Sequence, residues 1–259
     1  MPIDIDECVA EILDLGHCIL PDHFPRGALE ECRQAFEPLL EDVAARIPEG
    51  NRGPNRWAIG LPFAPPFYHS TFFNDDTVIE IISRILGEDM HISYYGTDTP
   101  IPGSEYQHVH ADLPFLFKEE PAHRHPPALL SVRFTFVDMT PENGPFEVAE
   151  RTQHLPRTET LERANAGKIS LKPLLLKAGD VLISDPRTIH RGTPNRTNTS
   201  RPFAVIVHNR HWYNISRERL EANEDTPMLT ESFYRTLSER EQELLRKVPR
   251  TPSDSAPPA

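Results

Sequence analysis

The chain has 259 residues, of which 38% are hydrophobic and 25% charged, and it carries a net charge of -12 with histidine neutral. Lysine and arginine are scattered, which argues against a nucleic acid or an anionic membrane as the partner. No apolar run approaches the length that spans a bilayer, and the first residues lack the basic and apolar regions of a signal peptide. We therefore expect a cytoplasmic protein whose partner is a small molecule. The sequence gives no prediction of oligomeric state.

Cysteine usage and length indicate a reduced, single-domain protein. The three cysteines, Cys8, Cys18 and Cys32, lie near the N-terminus without Cys-x-x-Cys spacing, which predicts buried or partly buried free thiols. The length suits one large domain. We expect this domain to cover residues 1–250 and to be followed by a disordered tail over 251–259.

Hydrophobic spacing predicts helices early and late in the chain, with short strands between them. Helical spacing occurs over residues 4–15, 26–47, 75–87 and 237–248, with a brief charged helix or loop over 158–166, and strand-like runs cover 18–20, 90–95, 128–138, 146–148, 171–176 and 202–208. The Gly-, Pro- and Arg-rich segment 48–70 predicts a long loop whose aromatic residues either bind a ligand or cover the core. The pattern is typical of a mainly β fold with packing helices.

A candidate metal site begins with the triplet His110-Ala-Asp112. If this run is a strand, side chains two residues apart share a face, so His108, His110 and Asp112 would project together. His190, which follows an apolar strand, could supply the third ligand. Two histidines and one carboxylate leave other positions on the metal open, as in non-heme iron(II) oxygenases. His108 is then a candidate substrate contact or hydrogen-bond donor to the ligands. Alone, a His-x-Asp triplet often arises by chance.

The order of His110-Ala-Asp112, Glu142-Asn-Gly144, Gly179-Asp180, His190 and Arg201 resembles the phytanoyl-CoA dioxygenase-like family of iron(II)- and 2-oxoglutarate-dependent oxygenases. The resemblance covers roughly the whole chain and implies a double-stranded β-helix, a cupin-like jelly roll. It implies His110, Asp112 and His190 as ligands of iron(II), with 2-oxoglutarate and O2 as cosubstrates. It also implies that Arg201 binds the distal carboxylate of 2-oxoglutarate, a role that suits a planar guanidinium.

The chain departs from the family pattern at two positions. Many relatives carry Ser or Thr two residues after the distal histidine, where this chain has Gly192, so Thr193 or another hydroxyl is expected to contact 2-oxoglutarate. The Pro-Gly-Ser-His that follows the Asn-Gly turn in many members is represented here only by His154. His154 could line the site or have a structural role.

The resemblance also bears on the reaction and the substrate. Halogenating relatives lose the metal-binding carboxylate, so the presence of Asp112 disfavours halogenation and leaves hydroxylation, desaturation or ring closure. The composition is similar to that of actinobacterial oxygenases that tailor sugar-containing antibiotics, including orthoester-forming enzymes, whereas no basic cluster for the phosphates of CoA is visible. Substrate contacts are expected from the aromatic residues Trp57, Tyr68, Tyr94, Phe115 and Phe117. A cupin-like metal-dependent hydrolase or isomerase and a non-catalytic binding protein remain as alternatives.

Overall fold

Two antiparallel sheets form the framework in the computed structural model, which describes residues 3–113, 116, 125–214 and 229–252. The helices are α1 (Ile5–Leu15), α2 (Arg26–Arg46), α3 (Ser70–Asn74), α4 (Asp76–Leu86), α5 (Arg157–Asn165), α6 (Glu231–Tyr234) and α7 (Glu239–Leu245). The strands are β1 (His17–Leu20), β2 (Arg56–Gly60), β3 (His91–Pro100), β4 (Leu129–Thr135), β5 (Phe146–Ala149), β6 (Lys172–Leu174), β7 (Val181–Ser184), β8 (Ile189–Gly192), β9 (Phe203–Asn209), β10 (Leu229–Thr230) and β11 (Arg250–Thr251).

The larger sheet has six strands in the order β1-β7-β4-β9-β3-β2, and the smaller sheet has the order β6-β5-β8. Between the two sheets, an apolar cluster joins Phe146 and Leu174 of the smaller sheet to Leu182 and Phe203 of the larger one. The predicted class, mainly β with packing helices, is confirmed. A short parallel pair, β10 and β11, lies outside these two sheets and pairs Thr251 with Thr230.

Strand β4 shows how the sequence assigns the two faces of the larger sheet. Leu130, Val132 and Phe134 belong to the main apolar core, which also contains residues of α1, α2, α4 and α7. The alternate residues Ser131 and Arg133 line a cavity between the sheets. Because successive side chains of a strand point to opposite faces, one strand supplies both the core and the cavity wall.

The helices follow their sequence signals closely. The helix α1 ends at Gly16, which has a φ of 93°, and its first turn is capped by the Asp4 side chain. The predicted helix over 237–248 is shorter, because Ser238 and Glu241 form a reciprocal capping box that starts α7 at Glu239. The three cysteines are free and buried, as predicted. Among the described residues, no helix combines the length and apolarity needed to cross a membrane.

The prediction of a loop over 48–70 is wrong for residues 56–60, which form β2 and pair with β3. Trp57 lies in this strand with 2% of its surface exposed, and its Nε1 donates a hydrogen bond to the Ile47 carbonyl at 2.8 Å. The run Arg-Trp-Ala-Ile-Gly is too short to show a periodicity, and the glycines and prolines around it favour a loop. Tyr68 is also part of the core, where its ring stacks on Phe73 at 4.3 Å between centroids.

Two buried histidines lie where β3 pairs with β9. His208 is 1% exposed and His91 is fully buried, and His208 pairs with Ile92 of β3. Burial lowers the pKa of His208 to about 3, an effect that the nearby Ile206 carbonyl opposes and His91 reinforces. Burial also lowers the pKa of His91 to about 4, with contributions from Lys247 and Arg246. Both imidazoles are therefore neutral in the folded protein at ordinary pH.

We expect His208→Leu to reduce the loss of stability in mild acid. The unfolded chain binds a proton at His208 below about pH 6.5, whereas the folded chain does not until about pH 3. The free energy of unfolding therefore falls as the pH drops through this window, by up to about 1.4 kcal/mol per pH unit for this proton. Urea denaturation of both proteins at pH 7 and pH 4.5 measures the difference. The control is His211→Leu, which removes a histidine whose side chain is 57% exposed. If the wild type and His208→Leu lost the same free energy of unfolding between pH 7 and pH 4.5, the prediction would be contradicted.

Candidate metal centre

Two neighbouring side chains, His110 and Asp112, meet the distant His190 at one edge of the cavity between the sheets. His110, Asp112 and His190 place their ligand atoms within 4.8 Å of one another, the one such cluster found in the described part of the chain. Asp112 Oδ1 lies 3.7 Å from His110 Nε2 and 3.5 Å from His190 Nε2. The structure thus brings together the three residues that the sequence selects as ligands.

Both imidazoles are oriented by the backbone. His110 Nδ1 lies 2.8 Å from the His108 carbonyl, and His190 Nδ1 lies 2.8 Å from the Thr188 carbonyl. A carbonyl can only accept, so each Nδ1 carries a proton, and in the neutral imidazole Nε2 is then the nitrogen available to a metal. Histidine ligands of metals are commonly held in this way. The donor set therefore fits a divalent iron site with two imidazoles and one carboxylate.

The segment that carries His110 and Asp112 is not the regular strand considered in the sequence analysis. It is held against β8 by separate backbone hydrogen bonds. Gln107 N donates to the Gly192 carbonyl at 3.0 Å, and His110 and His190 exchange two hydrogen bonds of 3.0 and 2.8 Å. Just before β8, the Pro186 carbonyl accepts from Asp112 N at 3.0 Å. Along this irregular path His110 and Asp112 line the cavity, whereas His108 does not. Its side chain is exposed, and its carbonyl is what holds His110.

The charge of Asp112 is set by its neighbours. Burial alone would raise the pKa of this carboxyl, but His190, Arg133 and His110 together hold it well below its usual range. Arg133 Nη2 donates to Asp112 Oδ2 at 2.8 Å. Burial and the nearby His190 lower the pKa of His110. At neutral pH Asp112 is charged and His110 is neutral, the states in which these groups bind metals.

The three candidate ligands open onto a cavity of about 560 Å³. One part of its wall is polar and can form hydrogen bonds: Arg52, Asp98, Gln107, Ser131 and Arg133. Another part is apolar: Leu113, Leu129, Phe146, Phe203, Val205 and Val207. Tyr94 lies in the wall, as expected for a substrate contact. The volume is that of a small-molecule site.

Three other predicted substrate contacts lie elsewhere. Trp57 is in the core because β2 turns its side chain towards α2, and His108 is exposed for the reason given above. His154 is half-buried, and neither it nor the other two is among the residues that line the cavity. Phe115 and Phe117 lie outside the described residues.

Arg201 does not itself line the cavity but is buried behind its wall, where its guanidinium carbon lies 5.4 Å from the ring centroid of the wall residue Phe203. It is 1% exposed, and its Nη2 donates to the Gly144 carbonyl at 2.7 Å. Its Nε and Nη1 have no hydrogen-bond partner among the described residues. Burial lowers its pKa to about 9, an effect reinforced by Arg56 and opposed by Asp98. A buried guanidinium with two unpaired donors is costly unless an anion completes it.

The expected contact of Thr193 with 2-oxoglutarate is not supported by its position. The Thr193 hydroxyl donates to the Pro145 carbonyl at 2.7 Å, away from the cavity wall. The space at Gly192 is already occupied, since a Cβ there would lie 2.5 Å from Arg56 Nη1 and 2.7 Å from Gln107 Oε1. Arg56 is fixed by bonds to Asp98 Oδ2 at 2.9 Å and to the Thr193 carbonyl at 2.7 Å.

Three charged residues of the site were missed from the sequence: Arg56, Asp98 and Arg133. Arg56 of β2 reaches diagonally to Asp98 of the neighbouring β3, and neither strand was predicted over these residues. Arg133 had a usable signal. It alternates with the apolar Val132 and Phe134 of a predicted strand, which places it on the face opposite the core, where a charged side chain can meet a ligand.

The comparison with protein families decides the classification, because the model of the phytanoyl-CoA dioxygenase (PhyH) family matches residues 14–203. The chain belongs to the PhyH family. This membership confirms the predicted family and, at the level of the family, an oxygenase that uses iron(II), 2-oxoglutarate and O2. Among curated proteins, the multifunctional dioxygenase AusE of Penicillium brasilianum is 23% identical over 217 residues, covering 78% of this chain and 71% of that protein.

Several solved structures share the fold of this chain. AviO1 from Streptomyces viridochromogenes Tue57 has a TM-score of 0.61 at 15% identity and covers 83% of this chain and 99% of its own. HygX from Streptomyces hygroscopicus, solved with nickel, 2-oxoglutarate and hygromycin B, has a TM-score of 0.62 at 15% identity and covers 82% and 89%. The epimerase SnoN from nogalamycin biosynthesis has a TM-score of 0.56 at 16% identity and covers 79% and 81%. These likenesses confirm the jelly-roll fold of this PhyH member.

We expect Gly192→Ala to destabilise the protein by about 1–3 kcal/mol, the usual effect of overpacking a filled site. The added methyl group meets the ends of Arg56 and Gln107, and Arg56 cannot retreat without breaking its bonds to Asp98 and Thr193. Urea denaturation measures the change. The matched control is Gly27→Ala in α2, where a Cβ would have nothing within 4 Å; equal stabilities of the two variants would show that the space at Gly192 is not closed.

Proposed function

We propose that this PhyH protein is an iron(II)- and 2-oxoglutarate-dependent dioxygenase that oxidises an unactivated C-H bond of a small-molecule natural product, by hydroxylation or oxidative ring closure, with release of succinate and CO2. The observation that carries the proposal is the convergence of His110 Nε2, His190 Nε2 and Asp112 Oδ1 at the wall of the cavity. In this proposal the three side chains hold the metal from one side. Bound iron(II), with 2-oxoglutarate and O2, supplies the oxidising power.

The protein's own contribution is to fix the ligands and to receive the cosubstrate. The carbonyls of His108 and Thr188 each lie within hydrogen-bond distance of an Nδ1 and orient both imidazoles with Nε2 towards the metal position. Arg201 is assigned to the distal carboxylate of 2-oxoglutarate, because its Nε and Nη1 are buried donors without a partner among the described residues. A carboxylate bound to Nη1 and to the second hydrogen of Nη2 would form a bidentate pair and satisfy one of these two donors. Thr193 is not assigned to this contact, since its hydroxyl already donates to Pro145.

The substrate is proposed to be a natural product that carries hydroxyl-rich or carbohydrate groups. The cavity wall supports this class with donors and acceptors from Asp98, Gln107 and Ser131 and with an apolar side that includes Leu113 and Val207. The structure of HygX with hygromycin B and the position of SnoN in nogalamycin biosynthesis support a natural-product substrate by analogy of fold. A cavity of about 560 Å³ could enclose only the reacting part of a large molecule.

Metal binding by the three ligands is tested by thermal denaturation with nickel(II), a redox-inert substitute for iron(II). A ligand that binds only the folded state stabilises it by about 2.7 kcal/mol at a hundred times its Kd, so we expect Tm to rise with added metal. His110→Gln and His190→Gln should lose most of this rise. The control His211→Gln changes an exposed histidine and should keep it. An unchanged rise in the two ligand variants would place the metal elsewhere.

The role of Arg201 is tested by the visible absorption of the anaerobic iron(II) protein titrated with 2-oxoglutarate. We expect a metal-to-ligand charge-transfer band in the wild type. In Arg201→Met the band should require at least about tenfold more 2-oxoglutarate, since a hydrogen bond between charged groups contributes about 1.5–3 kcal/mol. The control is Arg196→Met, which removes an exposed arginine from the same connection between β8 and β9.

The same titration distinguishes the proposed activity from its alternatives. Absence of the band in a wild-type protein that binds iron(II) stoichiometrically would contradict the oxygenase mechanism and favour a metal-dependent hydrolase, an isomerase or a binding protein. Equal 2-oxoglutarate affinities of the wild type and Arg201→Met would keep the oxygenase but remove Arg201 from the cosubstrate site.

A further inference from the structure

A second arginine, Arg133, contacts the candidate ligand set directly. It lies in the middle of β4 on the face that lines the cavity, and it is 8% exposed. Its Nη2 donates to Asp112 Oδ2 at 2.8 Å. Its guanidinium carbon lies 5.3 Å from the ring centroid of Phe146 and 5.9 Å from that of Phe203. The strand, the carboxylate and the two rings together fix the position of this guanidinium.

The contact divides the two oxygens of Asp112 between different partners. Oδ1 faces His110 Nε2 and His190 Nε2, whereas Oδ2 faces Arg133. A carboxylate can bind a metal through one oxygen or through both. When Oδ2 accepts from a guanidinium that cannot move away, only Oδ1 remains for the metal.

We propose that Arg133 is a positioning residue that restricts Asp112 to binding the metal through one oxygen. The inference rests on the proposed function and explains how many coordination positions of the metal the protein leaves open. With one oxygen from Asp112, the protein fills three of the positions of a six-coordinate ion. With both oxygens of Asp112 the protein would fill four positions. The two that remain would be too few for 2-oxoglutarate, which needs two, and O2, which needs one.

Arg133 is better suited to this role than to direct binding of the distal carboxylate of 2-oxoglutarate. Its Nη2 is engaged with Asp112, and its guanidinium is held over Phe146 and Phe203. Arg201 has two buried donors without a partner among the described residues, and Arg133 has only Nε in that state. The two arginines therefore have different roles: Arg133 positions the metal ligand Asp112, and Arg201 binds the cosubstrate.

The test counts the water molecules on bound manganese(II) from the broadening of its EPR lines in 17O-enriched water, without 2-oxoglutarate. Manganese(II) prefers octahedral oxygen coordination and substitutes for iron(II). We expect about three waters in the wild type and about two in Arg133→Gln, where Oδ2 turns to the metal. Arg133→Met fills the space beside Phe146 and Phe203 with an apolar chain and should also lose one bound water. It replaces the glutamine variant in the test if that variant does not fold.

Two further variants separate positioning from a structural effect. Arg133→Lys keeps a charged donor near Oδ2 and should retain the count of about three. Arg187→Gln is the matched control, because Arg187 is also buried and donates to an aspartate, Asp185, at 2.6 Å, without lining the cavity. It should keep the wild-type count. The 2-oxoglutarate Kd, measured in parallel, should rise at least about tenfold in Arg133→Gln, since the fourth protein oxygen competes for its position.

The outcomes are distinct. A wild type that binds no manganese(II) would contradict the proposed function itself. A wild type with about three waters and an Arg133→Gln variant with the same count would overturn the inference and leave the proposed function intact. An unchanged count with weaker 2-oxoglutarate binding would also overturn it, because Arg133 would then contact the cosubstrate and not act through Asp112.

Discussion

The reciprocal backbone hydrogen bonds between His110 and His190 are the constraint on which the candidate site depends. They fix the register between the His-x-Asp segment and β8, so that two imidazoles eighty positions apart in sequence have ring centroids only 4.5 Å apart. The same segment is held by Gln107 N on one side of the bridge and by Asp112 N on the other. A shift of one residue along β8 would turn one imidazole to the opposite face and disperse the ligands.

The charges of the cavity are arranged around this bridge in pairs. Arg133 is paired with Asp112 and Arg56 with Asp98, at 2.8 and 2.9 Å. In both pairs the arginine is buried and the aspartate is more accessible, so each carboxylate can still meet a ligand in the cavity. Arg201 is the exception, with two nitrogens that none of the described residues satisfies. The excess positive charge beside the cavity is complementary to a dicarboxylate cosubstrate.

The residues of the candidate site that could be predicted from the sequence are those identified by short spacing or by their order in the family pattern. His110 and Asp112 are two residues apart, and His190 and Arg201 follow in the order that the family shows, so all four could be named without a structure. The partners of these residues could not, because they come from strands that only the fold brings near: Arg133 is 21 positions from Asp112 and Arg56 is 42 from Asp98. Trp57 and Thr193 were assigned to the site because their chemistry suits it. Their orientations depend on strand pairing and on a local hydrogen bond, neither of which the sequence displays.

The two faces of the larger sheet explain how such a site is tolerated. Arg133, Ser131 and Thr97 are buried polar residues on the cavity side, and burial of polar groups lowers stability unless each group is paired. On the opposite side, Leu130, Val132 and Phe134 pack against the helices in one apolar core. Because these two sets alternate along the same strands, the core holds rigid the backbone from which the cavity residues project. Substitutions on the cavity face can therefore change the ligand while the core keeps the fold, which is consistent with a shared jelly roll at 15% identity to AviO1 and HygX.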